Sequence, residues 1–203
     1  LVIGGQGFIG KHLVNFYKTE GHIVRTTTKY HKSPDGMCYE SDYSKESFLN
    51  IFREKDYGKI FFLSGNPYPG LSIDHCNIDI EQTYIPLVNA VEALKQISFR
   101  GDFWFASSVA VYGATELDVQ SEDDICNPLS NYAVIKLAGE NYLKMISLTS
   151  DLKLGSFRIF STFGEDLRRQ LIFDIYKKIK DDHNNISLFG NGEEIRDLSY
   201  VGD

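Results

Sequence analysis

Cysteine is scarce in this chain and arranged for no recognisable chemistry. Cys38, Cys76 and Cys126 are odd in number, without C-x-x-C or Cys/His ligand spacing, so neither a disulfide framework nor a cysteine-based metal site is expected. The five histidines, His12, His22, His31, His75 and His183, are scattered without metal-ligand spacing. No apolar run approaches the roughly 20 residues that cross a bilayer, and no membrane partner is expected. Positive charge is also short: 21 Lys and Arg stand against 28 Asp and Glu, a net charge of −7. That balance argues against broad binding to nucleic acid or anionic lipid. Repeats, linkers and low-complexity tracts are missing too. A strand-like run begins at residue 1 and leaves no room for a secretory leader, so a cytoplasmic location is the expectation. For the same reason the chain reads as clipped. It stops at Ser199-Tyr200-Val201-Gly202-Asp203, which reads as the start of a new segment, and a missing C-terminal portion is expected.

What is present is enough apolar and aromatic content, 42% and 13% over 203 residues, to bury a sizeable core. Strand-like runs at Leu1-Val2-Ile3, Ile23 to Thr28, Lys59 to Ser64, Asp102 to Ser107 and Leu154 to Phe160 alternate with helical patterns near 8–19, 45–55, 79–97 and 130–149. A further helix is predicted from about Asp166 to Lys180, with Leu167, Leu171, Ile175 and Ile179 on one face. The alternation predicts an α/β fold, a doubly wound parallel sheet of Rossmann type with helices on both faces. In such sheets ligands bind at the carboxyl ends of the strands.

Glycine clusters at one such end. Leu1-Val2-Ile3-Gly4-Gly5-Gln6-Gly7-Phe8-Ile9-Gly10 reads as strand, tight turn and helix start. Two registers fit, Gly5-x-Gly7-x-x-Gly10 and Gly4-x-x-Gly7-x-x-Gly10. In either, glycines let the backbone approach a pyrophosphate held on free N–H groups of the helix N-terminus.

A second constellation follows the Asp102 to Ser107 run, in Ser107-Ser108-Val109-Ala110-Val111-Tyr112-Gly113 and then Asn131-Tyr132-Ala133-Val134-Ile135-Lys136. Tyr132 and Lys136 are four apart on a predicted helix and project from one face. An ammonium beside a phenol favours the phenolate, as a proton donor working near neutrality requires. A strand-end serine beside them can hydrogen-bond the reacting oxygen.

The combination of Gly4, Gly7 and Gly10, Ser108 before Tyr112-Gly113, and Tyr132-x-x-x-Lys136 resembles the extended short-chain dehydrogenase/reductase family, in its sugar-nucleotide epimerase/dehydratase branch, over essentially the whole chain. The resemblance selects the register with Gly4 and leaves Gly5 as loop filler. It implies Ser108, Tyr132 and Lys136 as catalytic residues. Gly4, Gly7, Phe8, Ile9, Gly10, Asp42, Tyr43, Leu63 and Ser64, with Tyr132 and Lys136, become the cofactor-binding set. Ser108 contacts substrate, joined by Ser161 in the loop-like Arg158 to Gly164 stretch and by Arg196 after Gly190-Asn191-Gly192. A dinucleotide-binding domain over 1–163 would then precede a substrate-binding region starting at 164. The resemblance further implies a nucleotide-linked sugar as substrate and a homodimer through the helices at 79–97 and 130–149.

Departures from the family pattern narrow this. No acid follows the glycines until Asp35, so Thr28 and Lys29, with Lys32, are suited to a 2′-phosphate. The cofactor expectation is NAD or NADP, with NADP favoured. Val109 and Ala110 stand where dehydratases carry proton-moving acids, which disfavours 4,6-dehydration. Ser161 replaces the usual asparagine, and Asp79 to Thr83 replaces an asparagine-containing helix start. Arg168 and Arg169 are expected at the start of the Asp166 helix, and Trp104 in the core. The resemblance favours an epimerase; the alternative is an NADPH-dependent 4-keto-sugar-nucleotide reductase. From another class, a non-catalytic dinucleotide-binding sensor or scaffold has no need of a Ser/Tyr/Lys set.

Overall fold

Val2–Ile3 form β1 and are fully buried in the interior of a parallel sheet in the computed structural model of the protein, which describes residues 1–29, 36–114, 119–182, 186–188, 190–193 and 195–203. The chain continues through α1 (Phe8–Thr19), β2 (Thr26–Thr28), β3 (Cys38–Glu40), α2 (Lys45–Glu54) and β4 (Lys59–Phe62). A short 3-10 turn (Pro69–Ser72) leads to α3 (Asn77–Asp79), which passes through a π-helical turn (Ile80–Tyr84) into α4 (Ile85–Gln96). Then come β5 (Asp102–Ser108), a second 3-10 turn (Val109–Tyr112), α5 (Asn131–Thr149) and β6 (Lys153–Ile159). The six strands pair in parallel in the order β3-β2-β1-β4-β5-β6. Strand order therefore reverses between β1 and β4, the switch point of a doubly wound Rossmann-type sheet.

Local chemistry explains where the helices start. Ser44 caps α2, its side chain accepting the Ser47 N–H at 3.2 Å, and Ser130 does the same for α5 through the Ala133 N–H at 3.2 Å. Pro86 sits in the first turn of α4, where a missing N–H costs nothing. The core is aromatic. Phe48 of α2 lies 6.4 Å from Phe62 of β4, whose ring is 6.1 and 6.2 Å from Phe103 and Phe105 of β5. All four side chains are fully buried, each contributing on the order of 2–3 kcal/mol through lost apolar surface. The last of them, Phe105, also walls the candidate site.

Several elements differ from the sequence pattern. β2 is confined to Thr26–Thr28, because Ile23 points to solvent, 79% exposed. β3 was not expected: three residues with little apolar periodicity are held by pairing to β2. Trp104 is not core but 37% exposed, its indole lying against Gly155 of the paired strand.

Residues 1–159 form one compact unit and 160–203 a second. The second holds β7 (Ser161–Phe163), α6 (Gln170–Asp181) and β8 (Leu198–Tyr200), with β7 and β8 paired in parallel. α6 starts at Gln170, not near Asp166, because Asp166 and Gln170 both take left-handed φ, 71° and 69°, and a right-handed helix cannot pass through such residues. Arg168 and Arg169 therefore precede the helix.

Candidate active site

Four glycines build the turn from β1 to α1, and three of them are dictated by geometry. Gly4 has φ 83°, and a Cβ there would stand 2.9 Å from the Ser64 nitrogen and 3.1 Å from the Leu63 carbonyl carbon. The predicted pair Leu63 and Ser64 thus runs directly beside the loop. A Cβ on Gly10 would overlap the Gly4 carbonyl oxygen and come within 2.8 Å of Gly5 Cα. Gly5 is more than filler, since its Cβ would lie 2.5 Å from the Thr26 methyl of β2. Gly7 N-caps α1 with no side chain and donates its N–H to Gly4 O at 3.0 Å. The first i→i−4 bond of α1 is Lys11 N–H to Gly7 O, 2.9 Å. The N–H groups of Phe8, Ile9 and Gly10 precede it and have no acceptor within the helix.

Beyond the carboxyl ends of β2 and β3 lie Thr28, Lys29, Asp42 and Tyr43. The exposed Lys29 holds its Nζ 5.2 Å from the centroid of the Tyr43 ring, which is buried and stacks on Phe48. Asp42 is exposed, and hydrogen bonds from Ser44, including its N–H at 2.9 Å, hold the carboxyl below its usual range. Lys32 lies outside the described residues, as do His31 and His183.

The third group stands at the end of β5. Lys136 is 5% exposed, and its Nζ donates to the Ala106 carbonyl at 2.7 Å. It lies 4.8 Å from the Phe105 ring centroid and 5.6 Å from that of Tyr132. Burial pushes the ammonium pKa down to about 8, opposed by the charge of Asp79. Tyr132 is half-buried one turn earlier on α5. Ser108, two residues past Ala106, is also half-buried, and its Oγ accepts the Ala110 N–H at 3.2 Å. The structure therefore gathers Tyr132 and Lys136 on one turn and ties that turn to the strand that ends in Ser108.

Around this set the neighbours are structural. Arg158 of β6 makes a bidentate pair with Glu140 of α5, at 2.8 and 3.1 Å, and stacks 4.6 Å over the Tyr112 ring. Ser161 and Arg196 belong to the second unit, where Ser161 pairs with Leu198, two residues after the exposed Arg196. Sequence reasoning missed Ser107, buried with its Oγ unbonded among the described residues, and treated Asp79, 0% exposed, only as a departure. Burial is the property that marks both, and neither has a sequence pattern that announces it. Among the described residues no three His, Cys, Asp or Glu side chains cluster as metal ligands, and no helix is long and apolar enough to cross a membrane.

Residues 1–203 match the family described as NAD dependent epimerase/dehydratase family. The chain belongs to that family. Within the epimerase/dehydratase family it is 25% identical, over its full length, to a putative UDP-glucose 4-epimerase of Methanocaldococcus jannaschii, covering 70% of that protein. It is 27% identical, again over its full length, to dTDP-4-dehydro-6-deoxyglucose reductase of Escherichia coli, covering 69% of it. Among solved structures, MoeE5 in complex with UDP-glucose and NAD is 26% identical with a TM-score of 0.83, over 98% of this chain and 67% of that one. The chain spans between 51% and 70% of the curated relatives that match it end to end.

Proposed function

We propose that the chain carries the dinucleotide site and the catalytic residues of a cytoplasmic nucleotide-sugar epimerase. The observation that supports this most directly is the Tyr132–Lys136 turn, anchored through Lys136 to the Ala106 carbonyl at 2.7 Å, two residues before Ser108. A bound nicotinamide dinucleotide supplies the hydride acceptor and donor at the sugar carbon. The chain's own residues supply position and proton transfer. The glycine turn would let a pyrophosphate approach the backbone, and the N–H groups of Phe8, Ile9 and Gly10 would donate to it. Tyr132 takes a proton from the sugar hydroxyl as the carbon is oxidised and returns it on reduction. Lys136 stabilises the phenolate by charge, and Ser108 donates a hydrogen bond to the reacting oxygen. Val109 and Ala110 can move no proton, which limits the chemistry to one carbon at a time.

Asp42 and Tyr43 would hold the adenosine end of a bound dinucleotide, and Thr28 and Lys29 would meet its 2′ position, where the Lys29 charge favours NADP. In the second unit, Ser161 and Arg196 are read as contacts to the nucleotide sugar. The second reading, a keto-sugar reductase consuming NADPH, is favoured by the similarity to the E. coli reductase. Denaturing the purified protein separates the two: an epimerase releases a retained dinucleotide, whereas a reductase comes up empty and oxidises added NADPH with a 4-keto sugar. Replacing Tyr132 by Phe is expected to reduce turnover of UDP-hexoses by about 10²–10⁴-fold while dinucleotide binding persists. Undiminished turnover would remove Tyr132 from the mechanism and leave a sensor or scaffold as the better reading.

A further inference from the structure

The first 3-10 turn, α3 and the π-helical turn, which pack against α5, carry with Asn66 a set of buried polar side chains that the reaction as described does not use. Asn66, in the segment after β4, donates from Nδ2 to Asp79 Oδ1 at 3.0 Å and to Ser72 Oγ at 3.1 Å. Its backbone N–H donates to Thr83 Oγ1 in the π-helical turn, 3.3 Å. Asn131, the first residue of α5, donates to the Ser72 carbonyl at 2.8 Å. Asn66, Ser72, Asp79 and Thr83 are all 5% exposed or less. Asp79 alone among these four carries a charge, and its second oxygen, Oδ2, is buried and accepts no hydrogen bond among the described residues.

A buried carboxylate with an unbonded oxygen is costly unless a positive charge stands near it. Lys136 of α5 fits that role: it and Asp79 are the two charged side chains buried to 5% exposure or less among the described residues, on elements packed against each other, and the charge of Asp79 opposes the effect of burial on the ammonium. Among the described residues, the other groups against Lys136 bring no countercharge. β5 offers the Ala106 carbonyl and the Phe105 ring, and Tyr132 of its own helix offers a ring face. Glu140, one turn further along α5, is taken by Arg158 of β6, and the Tyr112 hydroxyl of the neighbouring 3-10 turn donates to the Ser121 carbonyl. We propose that Asp79 is a positioning residue for the reaction above: its carboxylate is the countercharge that keeps Lys136 an ammonium ion beside Tyr132. The catalytic meaning of this assignment rests on the epimerase reading; the electrostatic coupling does not.

The sign follows from the two opposing influences. Burial lowers the Lys136 pKa and Asp79 raises it, so removing the charge at position 79 lets the amine lose its proton at lower pH. Tyr132 then loses its electrostatic support near neutrality, and the alkaline limb of the kcat/KM profile moves toward lower pH.

Asp79→Asn preserves size and an oxygen for Asn66. In protein labelled with 13C at lysine Cε, the Lys136 resonance, assigned by its disappearance in Lys136→Met, is expected to titrate about one pH unit lower in the variant. The alkaline limb of kcat/KM should move by the same amount, whereas a merely structural role would scale the rate at every pH without moving the limb. An unchanged Lys136 titration overturns the proposal even if the wild type epimerises nucleotide sugars. A shifted titration in a protein that turns over no nucleotide sugar upholds the coupling and overturns the epimerase reading instead. Should Asp79→Asn fail to fold, Asp79→Ser removes the same charge with a smaller side chain, and a Lys136 titration unmoved in it overturns the proposal; the conservative Asp79→Glu, which keeps the charge, is expected to retain the wild-type titration.

Discussion

At the scale of single residues, the glycine turn gives a graded expectation. Gly10→Ala would drive a methyl into the Gly4 carbonyl and Gly5 Cα, both backbone atoms that cannot step aside. Gly7→Ala meets only the Gly4 oxygen, at 3.3 Å. Gly10→Ala should therefore cost about 1–3 kcal/mol of stability and empty the protein of dinucleotide. Gly7→Ala should be milder on both counts, as read by thermal unfolding and by cofactor released on denaturation. Equal effects from the two would mean that backbone crowding does not govern the loop. Tyr132 and Lys136 were legible in the sequence because a four-residue interval on a helix fixes proximity without knowledge of the rest of the fold. Asp79 and Ser107 were not singled out, since nothing in the residue order distinguishes a buried acid or serine from an exposed one. Only the burial of both reveals that their polar atoms need explaining.

Helices and strands raise a different question, namely what keeps α5 in register with the sheet so that Lys136 reaches Ala106. One fastening is the Arg158–Glu140 pair between β6 and α5, with side chains 17% and 10% exposed. The pairing holds the Arg158 guanidinium firmly protonated. Glu140→Gln keeps the shape but leaves Arg158 without its countercharge, and should cost about 3 kcal/mol in urea unfolding. A loss below about 0.5 kcal/mol, the range of surface pairs, would show that the fastening is ornamental. Strong apolar runs and helical periodicity made β1, β4, β5, α1, α2 and α5 readable from the residue order. β3 escaped because pairing with β2, not its own composition, makes it a strand. The start of α6 escaped because left-handed φ at Asp166 and Gln170 has no signature in residues other than glycine. The π-helical turn at Ile80–Tyr84 has no signature in the residue order either.

For the molecule as a whole, the faces left uncovered are as informative as those covered. On α5, Leu148 is 81% exposed and Val134 and Met145 each 48%, and Ile85 of α4 is 47% exposed. The homodimer that the family resemblance implies would pair subunits through these two helices. Leu148→Glu combined with Met145→Glu should convert the protein to monomers in sedimentation equilibrium at micromolar concentration. A wild type that is already monomeric there would refute the pairing.

Trp104, the single tryptophan of the chain, lies half in solvent on β5 over Gly155, two positions before the carbonyl that receives Lys136. Indole emission depends on its contact with water, so one optical signal, free of any other tryptophan, tracks the strand that ends in Ser108 and receives the Lys136 ammonium. Loosening of that strand by heat, denaturant or substitution becomes directly visible, without a label and without knowing the sugar.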